Sequence, residues 1–246
     1  MTDFIVGRNS VIEYLENMDG AKTLYLQKGN EKEIIKKIIN LSNKKKIPIK
    51  YIDKRKLDEL SGNSKHQGVY LEIEEYTYYS LDEIIKFGKN NEEKDPLIII
   101  LDGITDPHNL GAIIRTAEAA GATGVIIPKH RSASVNHTVH KTSAGATAYM
   151  KIAMVTNINS AIDKLKNEGY WIYGADGHTE KLYTDINFSG SIGLVIGNEG
   201  KGISRLTKKY CDELIKIPMF GNTESLNAST SAAILIYGVL NYRNAN

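Results

Sequence analysis

Leu97-Ile98-Ile99-Ile100-Leu101-Asp102-Gly103-Ile104-Thr105-Asp106-Pro107-His108-Asn109-Leu110-Gly111-Ala112-Ile113-Ile114-Arg115 is the stretch that decides the fold. Leu97 to Leu101 is an unbroken run of leucine and β-branched residues. Such a run reads as a strand covered on both faces, as in a parallel sheet. Gly103 and Pro107 force a turn, and Gly111 to Ala120 reads as the helix that follows. Asn109 stands at the entry to that helix, where its side chain is expected to act as a cap. Arg115 falls six residues later in an otherwise apolar helical face. A buried or half-buried guanidinium needs a partner; the alternative is a side chain that snorkels to the surface.

Toward the C-terminus the same alternation repeats. Gly124 to Ile127, Ile152 to Val155, Trp171 to Gly174 and Gly193 to Ile196 read as further strands, with a helix over Ala161 to Glu168. Strands alternating with helices predict a mostly parallel sheet with helices on both sides, an α/β fold. A last helix is expected over Leu226 to Tyr242, apolar on more than one stripe and therefore well buried.

Toward the N-terminus, residues 1–76 read as a separate small α/β unit. Helices are expected over Val11 to Asn17 and Glu31 to Lys46, and strands over Thr23 to Gln27, Ile47 to Ile52 and Gly68 to Ile73. Ser80-Leu81-Asp82-Glu83 matches a capping box for a short helix. Gly88 to Asp95 is charged and Asn-rich. Residues 77–95 are accordingly read as a linker and 96–246 as the second domain.

Composition sets outer bounds. The 246 residues are 41% hydrophobic with a formal net charge of +2, which neither demands nor excludes a nucleic-acid partner. No apolar run is long enough for a membrane helix, and Met1 to Ser10 lacks the pattern of a secretory signal. The single cysteine, Cys211, has no internal partner, which fits the cytoplasm; it reads as a small buried apolar side chain. His137 and His140 lack a HExxH pattern or a carboxylate partner, so no metal is expected. Lys44, Lys45 and Lys46 read as a solvated helix end or as a phosphate contact. Tyr76, Tyr78 and Tyr79 read as packing or as platforms for bases.

Two more segments place polar residues at strand ends, where open parallel sheets bind ligands. Leu194-Val195-Ile196-Gly197-Asn198-Glu199-Gly200-Lys201-Gly202-Ile203 puts three glycines after a strand, so that backbone can approach a ligand closely. It is neither a Walker A loop nor a GxGxxG dinucleotide fingerprint. In Ile217-Pro218-Met219-Phe220-Gly221-Asn222-Thr223-Glu224-Ser225-Leu226-Asn227-Ala228-Ser229 a strand is expected to stop at Pro218. Ser225 or Asn227 then opens the last helix.

Taken together and in this order, the three segments resemble the motifs of the SpoU family of SPOUT methyltransferases. Asn109 to Ala117 is similar to the first, Val195 to Ile203 to the second, and Ile217-Pro218-Met219 with Ser225 to Ser229 to the third. Gly7-Arg8-Asn9-Ser10-Val11 and His66-Gln67-Gly68-Val69 resemble the substrate-binding domain found in members that methylate a guanosine of 23S ribosomal RNA, a domain similar to the ribosomal protein L30e fold. Pro128-Lys129-His130-Arg131-Ser132-Ala133 looks closest to the same members.

The resemblance implies a deep trefoil knot in the C-terminal domain, S-adenosylmethionine as cofactor, and 2′-O-methylation of a ribose, with 23S ribosomal RNA as partner. Transfer RNA or an antibiotic-site nucleotide stays open as the substrate, as does a non-catalytic RNA-binding role. It also implies a homodimer with each site completed by both knotted domains. Gly174, Ala175, Gly197, Asn198, Gly200, Ile217, Pro218, Met219 and Leu226 are implied at the cofactor, and Arg8, Asn9, His66 and Gln67 at the RNA. The catalytic set it implies is Arg115, Asn109, Glu199, Ser225 and Asn227. Because arginine resists deprotonation, the expected role of Arg115 is to stabilise and orient the ribose 2′-oxygen rather than to act as base. Asn109 is expected to position Arg115 or the ribose, and Glu199 to hold the network.

Overall fold

The computed structural model describes residues 3–30, 32–62, 64–90 and 95–245. The chain divides into two compact units, Met1–Thr77 and Tyr78–Asn246.

The first unit runs β1 (Asp3–Val6), α1 (Arg8–Asn17), β2 (Ala21–Gln27), α2 (Glu33–Lys44), β3 (Ile49–Ile52), α3 (Lys54–Leu60) and β4 (Val69–Ile73). Its sheet has the order β1-β4-β2-β3, with β4 antiparallel to both neighbours and β2 parallel to β3. Val11 and Leu15 of α1, Ile35 and Ile38 of α2, and Leu24, Leu26, Val69 and Leu71 of the strands form its core. Lys45 at the end of α2 is tied to the Asp19 carboxylate at 2.8 Å. Within that lysine run it is thus a structural cation rather than a free phosphate ligand.

The second unit contains α4 (Leu81–Lys89), β5 (Leu97–Asp102), α5 (Pro107–Ala119), β6 (Gly124–Pro128), α6 (His137–Thr142) and β7 (Ile152–Val155). It continues with α7 (Ile158–Asn167), β8 (Trp171–Ala175), β9 (Ile192–Gly197), α8 (Arg205–Tyr210), β10 (Glu213–Ile215) and α9 (Ala228–Ala245). All six strands are parallel, in the order β10-β8-β9-β5-β6-β7. Leu97 to Leu101 is buried throughout, as a strand with helices on both faces must be. Among the described residues no helix is long and apolar enough to cross a membrane.

Several boundaries differ from the sequence reading for identifiable reasons. The stretch 77–95 is not all linker: Ser80 and Glu83 close the predicted capping box. The helix α4 that it opens buries Ile84 and Ile85 in the core of the second unit. Of the stretch taken as linker, residues 91–94 lie outside the described residues. Helix α5 begins at Pro107, and its cap is Asp106, whose carboxylate accepts the His108 amide at 3.0 Å. Asn109 is therefore not the cap. Proline at the first helical position makes the earlier start favourable, since its missing N–H would be unpaired there anyway. The strand before the third motif ends at Ile215, not Pro218. Tyr78 spends its hydroxyl on the Val135 amide at 2.8 Å, and Tyr79 pairs by backbone with Ala153. Both pack within the second unit.

Candidate active site

The order of the sheet decides where a site forms. The chain moves outward from β5 to β6 and β7, then returns on the other side, so that β9 lies between β8 and β5. Asp102 at the end of β5 is in register with Gly197 at the end of β9, and Ala175 of β8 with Ile215 of β10. Four strand ends thus deliver their following loops to one edge, where this class of sheet binds ligands.

The loop after β9 is tied down by its own backbone and by β5. Asn198 and Gly202 exchange N–H···O bonds of 3.1 and 2.8 Å, closing a tight turn. The Asn198 side chain donates to the Gly103 carbonyl at 3.0 Å and accepts from the Gly200 amide at 3.1 Å. Asp102 accepts the Ser204 amide at 2.8 Å. A Cβ on Gly197 would overlap the Gly202 carbonyl carbon and the Ile203 amide nitrogen. The close approach that needs this glycine is therefore made by the chain's own backbone.

Beside this loop lies a pocket of about 670 Å3, part of it open to solvent. Ile196, Ile215, Ile217, Leu226 and Leu235 form its apolar walls, and Asp176, Glu199 and Glu224 bring carboxylates to it. Burial pushes the Asp176 carboxyl up, but the Lys208 ammonium at 2.6 Å and the His178 amide more than offset this and hold it below its ordinary value. Lys216, the one cation in the lining, pairs with Glu180 at 3.3 Å.

At the rim a polar network joins the three motifs. The Glu199 carboxylate oxygen Oε1 accepts from the Asn109 side-chain amide and from the Asn227 side-chain amide, the latter at 2.6 Å. Asn109 is buried at 7% exposure, so this carboxylate satisfies a donor that would otherwise be stranded. Asn227 turns its own oxygen to the Ser229 amide at 2.9 Å and thereby caps α9.

The residues expected at the cofactor fall into two groups. Ala175, Gly197, Asn198, Ile217, Met219 and Leu226 line the pocket, as do Ser225 and Glu199. Gly174, Gly200 and Pro218 do not. Gly174 faces Cys211 and Leu214, where a Cβ would meet both at 2.8 Å, so its small size serves packing. Cys211 is half-buried, and burial pushes its thiol up to about 12. Arg115 departs furthest from expectation: it lies on an exposed face of α5, outside the pocket lining, with no partner among the described residues. Asp176, Lys216, Ser231 and Leu235 line the pocket and were missed. Ser231 and Leu235 follow Asn227 at successive four-residue steps along α9, a spacing that places them on one face. Among the described residues no cluster of His, Cys, Asp or Glu could hold a metal ion.

In the first unit, of the four residues expected at the RNA, Arg8, His66 and Gln67 line one polar notch and Asn9 does not. His66 is buried with both ring nitrogens engaged, Nε2 to the Asp58 carboxylate at 2.8 Å and Nδ1 to the Gly68 amide at 2.9 Å. It shapes the turn and offers little surface.

Comparison with known proteins bears on both units. Residues 96–237 match the model of the SpoU rRNA Methylase family, and residues 4–79 match that of the RNA 2′-O ribose methyltransferase substrate-binding domain. A Bacillus subtilis chain named for the TrmH family of tRNA/rRNA methyltransferases is 39% identical over 242 residues, 98% of this chain and 96% of that one. A Staphylococcus haemolyticus chain named for the same family is 42% identical over 239 residues, 97% of this chain and 95% of that one. The solved structure of the SpoU methyltransferase AviRb from Streptomyces viridochromogenes, in complex with the cofactor AdoMet, superposes with a TM-score of 0.70 at 25% identity. The match covers 100% of this chain and 91% of that one. A catalytic-domain model matched over most of the second unit, a substrate-binding model over the first, and relatives along nearly the full length lead to one conclusion: this chain belongs to the SpoU family of RNA methyltransferases.

Proposed function

We propose that this chain transfers a methyl group from S-adenosylmethionine to the ribose 2′-oxygen of a guanosine in 23S ribosomal RNA, in the cytoplasm and as a homodimer. The observation that carries the reading is Glu199, whose carboxylate gathers the amides of Asn109 and Asn227 at the pocket rim. Binding alone requires no such convergence of three separated motifs.

The pocket fits the cofactor by its chemistry. Apolar walls suit an adenine ring, and carboxylates suit a sulfonium. When bound, the cofactor supplies an electrophilic methyl carbon. Gly197, Ile217 and Leu226 would hold the adenosyl part, with Met219 packing against it. Glu199 and Glu224 give the region a negative potential that favours a cation, the Asp176 carboxylate being paired with Lys208. Asn109 and Asn227 orient the ribose through the Glu199 network, and Ser225 brings a hydroxyl to the pocket lining beside it. Arg115 stabilises the negative charge that develops on the 2′-oxygen as its proton passes to solvent water.

The exposure of Arg115 supports the homodimer, because a partner copy would complete the site. Membership of the SpoU family supports a knotted C-terminal segment. The relatives carry names that include tRNA as well as rRNA, which keeps transfer RNA as the second reading.

Transfer of labelled methyl groups to purified 23S RNA and to transfer RNA, followed by mapping of the modified ribose, decides between them. No transfer to either would sink the enzyme reading. For the dimer, co-expressed Arg115→Ala and Leu226→Arg chains should regain activity that neither has alone. No regain would place each site within one chain.

A further inference from the structure

Between β10 and α9 the chain borders the pocket of the second unit on residues 217–226. The segment is held at both ends. Lys216 donates its amide to the Lys181 carbonyl at 2.8 Å, and Asn227 its side-chain amide to Glu199 at 2.6 Å. Among the described residues, nothing from 217 to 226 makes a hydrogen bond, so the chain's own polar contacts leave this loop free to adapt. Ile217, Met219, Glu224, Ser225 and Leu226 line the pocket. Phe220 does not. Its ring stands outside the lining at 96% exposure, the most exposed of the large hydrophobic side chains described.

A lone exposed ring is ordinary on a protein surface. This one is set apart by its position. Met219, whose Cα is ~3.8 Å away, forms part of the pocket wall, while the residues that follow, Gly221, Asn222, Thr223 and Glu224, are small or polar. The loop thus carries one aromatic side chain, and it carries it beside the pocket.

The charge of the lining does not favour RNA. Glu199 and Glu224 bring carboxylates to it, and its one cation, Lys216, is paired with Glu180 at 3.3 Å. A phosphate drawn there would meet like charge. A base can approach, because its π-face bears no net charge, and an aromatic side chain holds it by stacking. No residue of the lining is aromatic, so Phe220 is the ring that the border of the pocket supplies. Covalent geometry brings the base to the same place. A ribose whose 2′-oxygen faces the Glu199 network carries its base on C1′, the carbon bonded to C2′.

We propose that Phe220 is a stacking platform for the base of the nucleotide being methylated. The proposal rests on the RNA-methyltransferase reading above and adds how that nucleotide is held. A base lying on the ring has one face withdrawn from its neighbours in the RNA, so the target is an unpaired nucleotide of a loop or bulge. Stacking reads no hydrogen-bonding edge. Phe220 therefore contributes affinity and orientation, with purines favoured by their larger face.

Fluorescence tests this without methyl transfer. Trp171 is the only tryptophan of the chain. It opens β8, ~13 Å from the pocket-lining Ala175 that closes the strand. In Phe220→Trp combined with Trp171→Phe, titration is made with purified 23S RNA and, in a parallel arm, with transfer RNA. Emission should be quenched in the arm whose RNA is methylated, and left unchanged by S-adenosylmethionine alone or by a fully paired RNA. The native chain, reporting through Trp171, should show little response. Phe220→Ala should melt within about 1 °C of the native chain. It should raise KM for RNA about tenfold with kcat held at saturating RNA, by the same factor at low and high salt because no phosphate contact is lost. Phe220→Leu, apolar but without a π-face, should behave like Phe220→Ala, and Phe220→Tyr should restore the native KM. Emission unmoved by an RNA that the chain methylates overturns the platform and leaves the enzyme reading standing. Quenching by S-adenosylmethionine alone also overturns it, since the ring would then cover the cofactor. So does a Phe220→Ala chain that sediments as a monomer where the native chain is a dimer, since the ring would then belong to a second copy. Quenching by an RNA that is never methylated upholds the ring as a base contact and removes the enzyme reading instead.

Discussion

Gly197→Ala is the sharpest perturbation this fold allows. The added methyl would overlap the Gly202 carbonyl carbon and the Ile203 amide nitrogen, and both are backbone atoms with no rotamer to adjust. Relief requires the 202–203 segment to move. That movement breaks the Asn198–Gly202 pair of hydrogen bonds, 3.1 and 2.8 Å long. Two such bonds contribute ~1 kcal/mol each, and overpacking at a rigid contact costs ~1–3 kcal/mol more. The total is roughly 3–5 kcal/mol, or a Tm lower by ~6–20 °C for a chain of this size. The same shift moves the pocket wall, so S-adenosylmethionine affinity should fall with stability. Gly200→Ala is the matched control: its Cβ would find only the Asn198 side-chain oxygen, at 3.8 Å, and it should melt within about 1 °C of the native chain. Differential scanning calorimetry and titration with the cofactor read both quantities. If Gly197→Ala melts with the native chain and binds the cofactor equally well, the loop does not close on itself as described, and the pocket built on it falls too.

Other perturbations probe the site at separate points. Arg115→Ala removes an exposed side chain without a partner among the described residues, so unfolding by urea should shift by less than ~0.5 kcal/mol, while methyl transfer is largely lost. Glu199→Ala strands the buried Asn109 amide and should cost ~1–3 kcal/mol in the same assay, whereas Glu199→Gln keeps an acceptor and recovers most of that stability. Asp176 titrates below its ordinary 3.8 in the folded chain, so its contribution is complete above that pH and disappears as pH falls through the lowered folded value. In acid unfolding, Asp176→Asn should therefore show a shallower loss of stability below about pH 4. With its thiol pushed up to about 12, Cys211 should resist iodoacetamide at pH 8 in the native chain and react once unfolded; rapid native-state alkylation would contradict that environment.

The parts of the fold that were legible are those whose apolar pattern is long and two-sided. β5 and β9 announce themselves because every residue from Leu97 to Leu101 and from Ile192 to Ile196 is buried. Elements with little to bury are silent. α3 buries only Leu57 and α8 only Thr207, so neither writes an apolar stripe. β10 is a three-residue edge strand, and β1 a four-residue edge strand with one buried side chain. Such elements are fixed by tertiary pairing, which local periodicity does not encode.

The site divides along the same line. Residues that follow directly from a strand end could be placed, and Asp176 and Lys216 were missed only because the reading stopped one residue short of each. Arg115 was misread for a different reason. Counting apolar neighbours put it in a buried face, but the buried apolar side chains of α5 are Leu110, Ile113, Ile114 and Ala117, a stripe that Asn109 and Gly111 flank and Arg115 does not join. At 100° per residue, Arg115 instead aligns with His108, Ala112 and Ala119, of which His108 and Ala119 are exposed. Helical geometry therefore separates the guanidinium from the core of its own chain. A charged side chain in this motif that needs no internal partner is free to meet one supplied from outside, either the RNA or a second copy. The sequence could say that Arg115 belongs to the motif; which of the two it meets is a property of the assembly, and the mixed-chain complementation experiment addresses it directly.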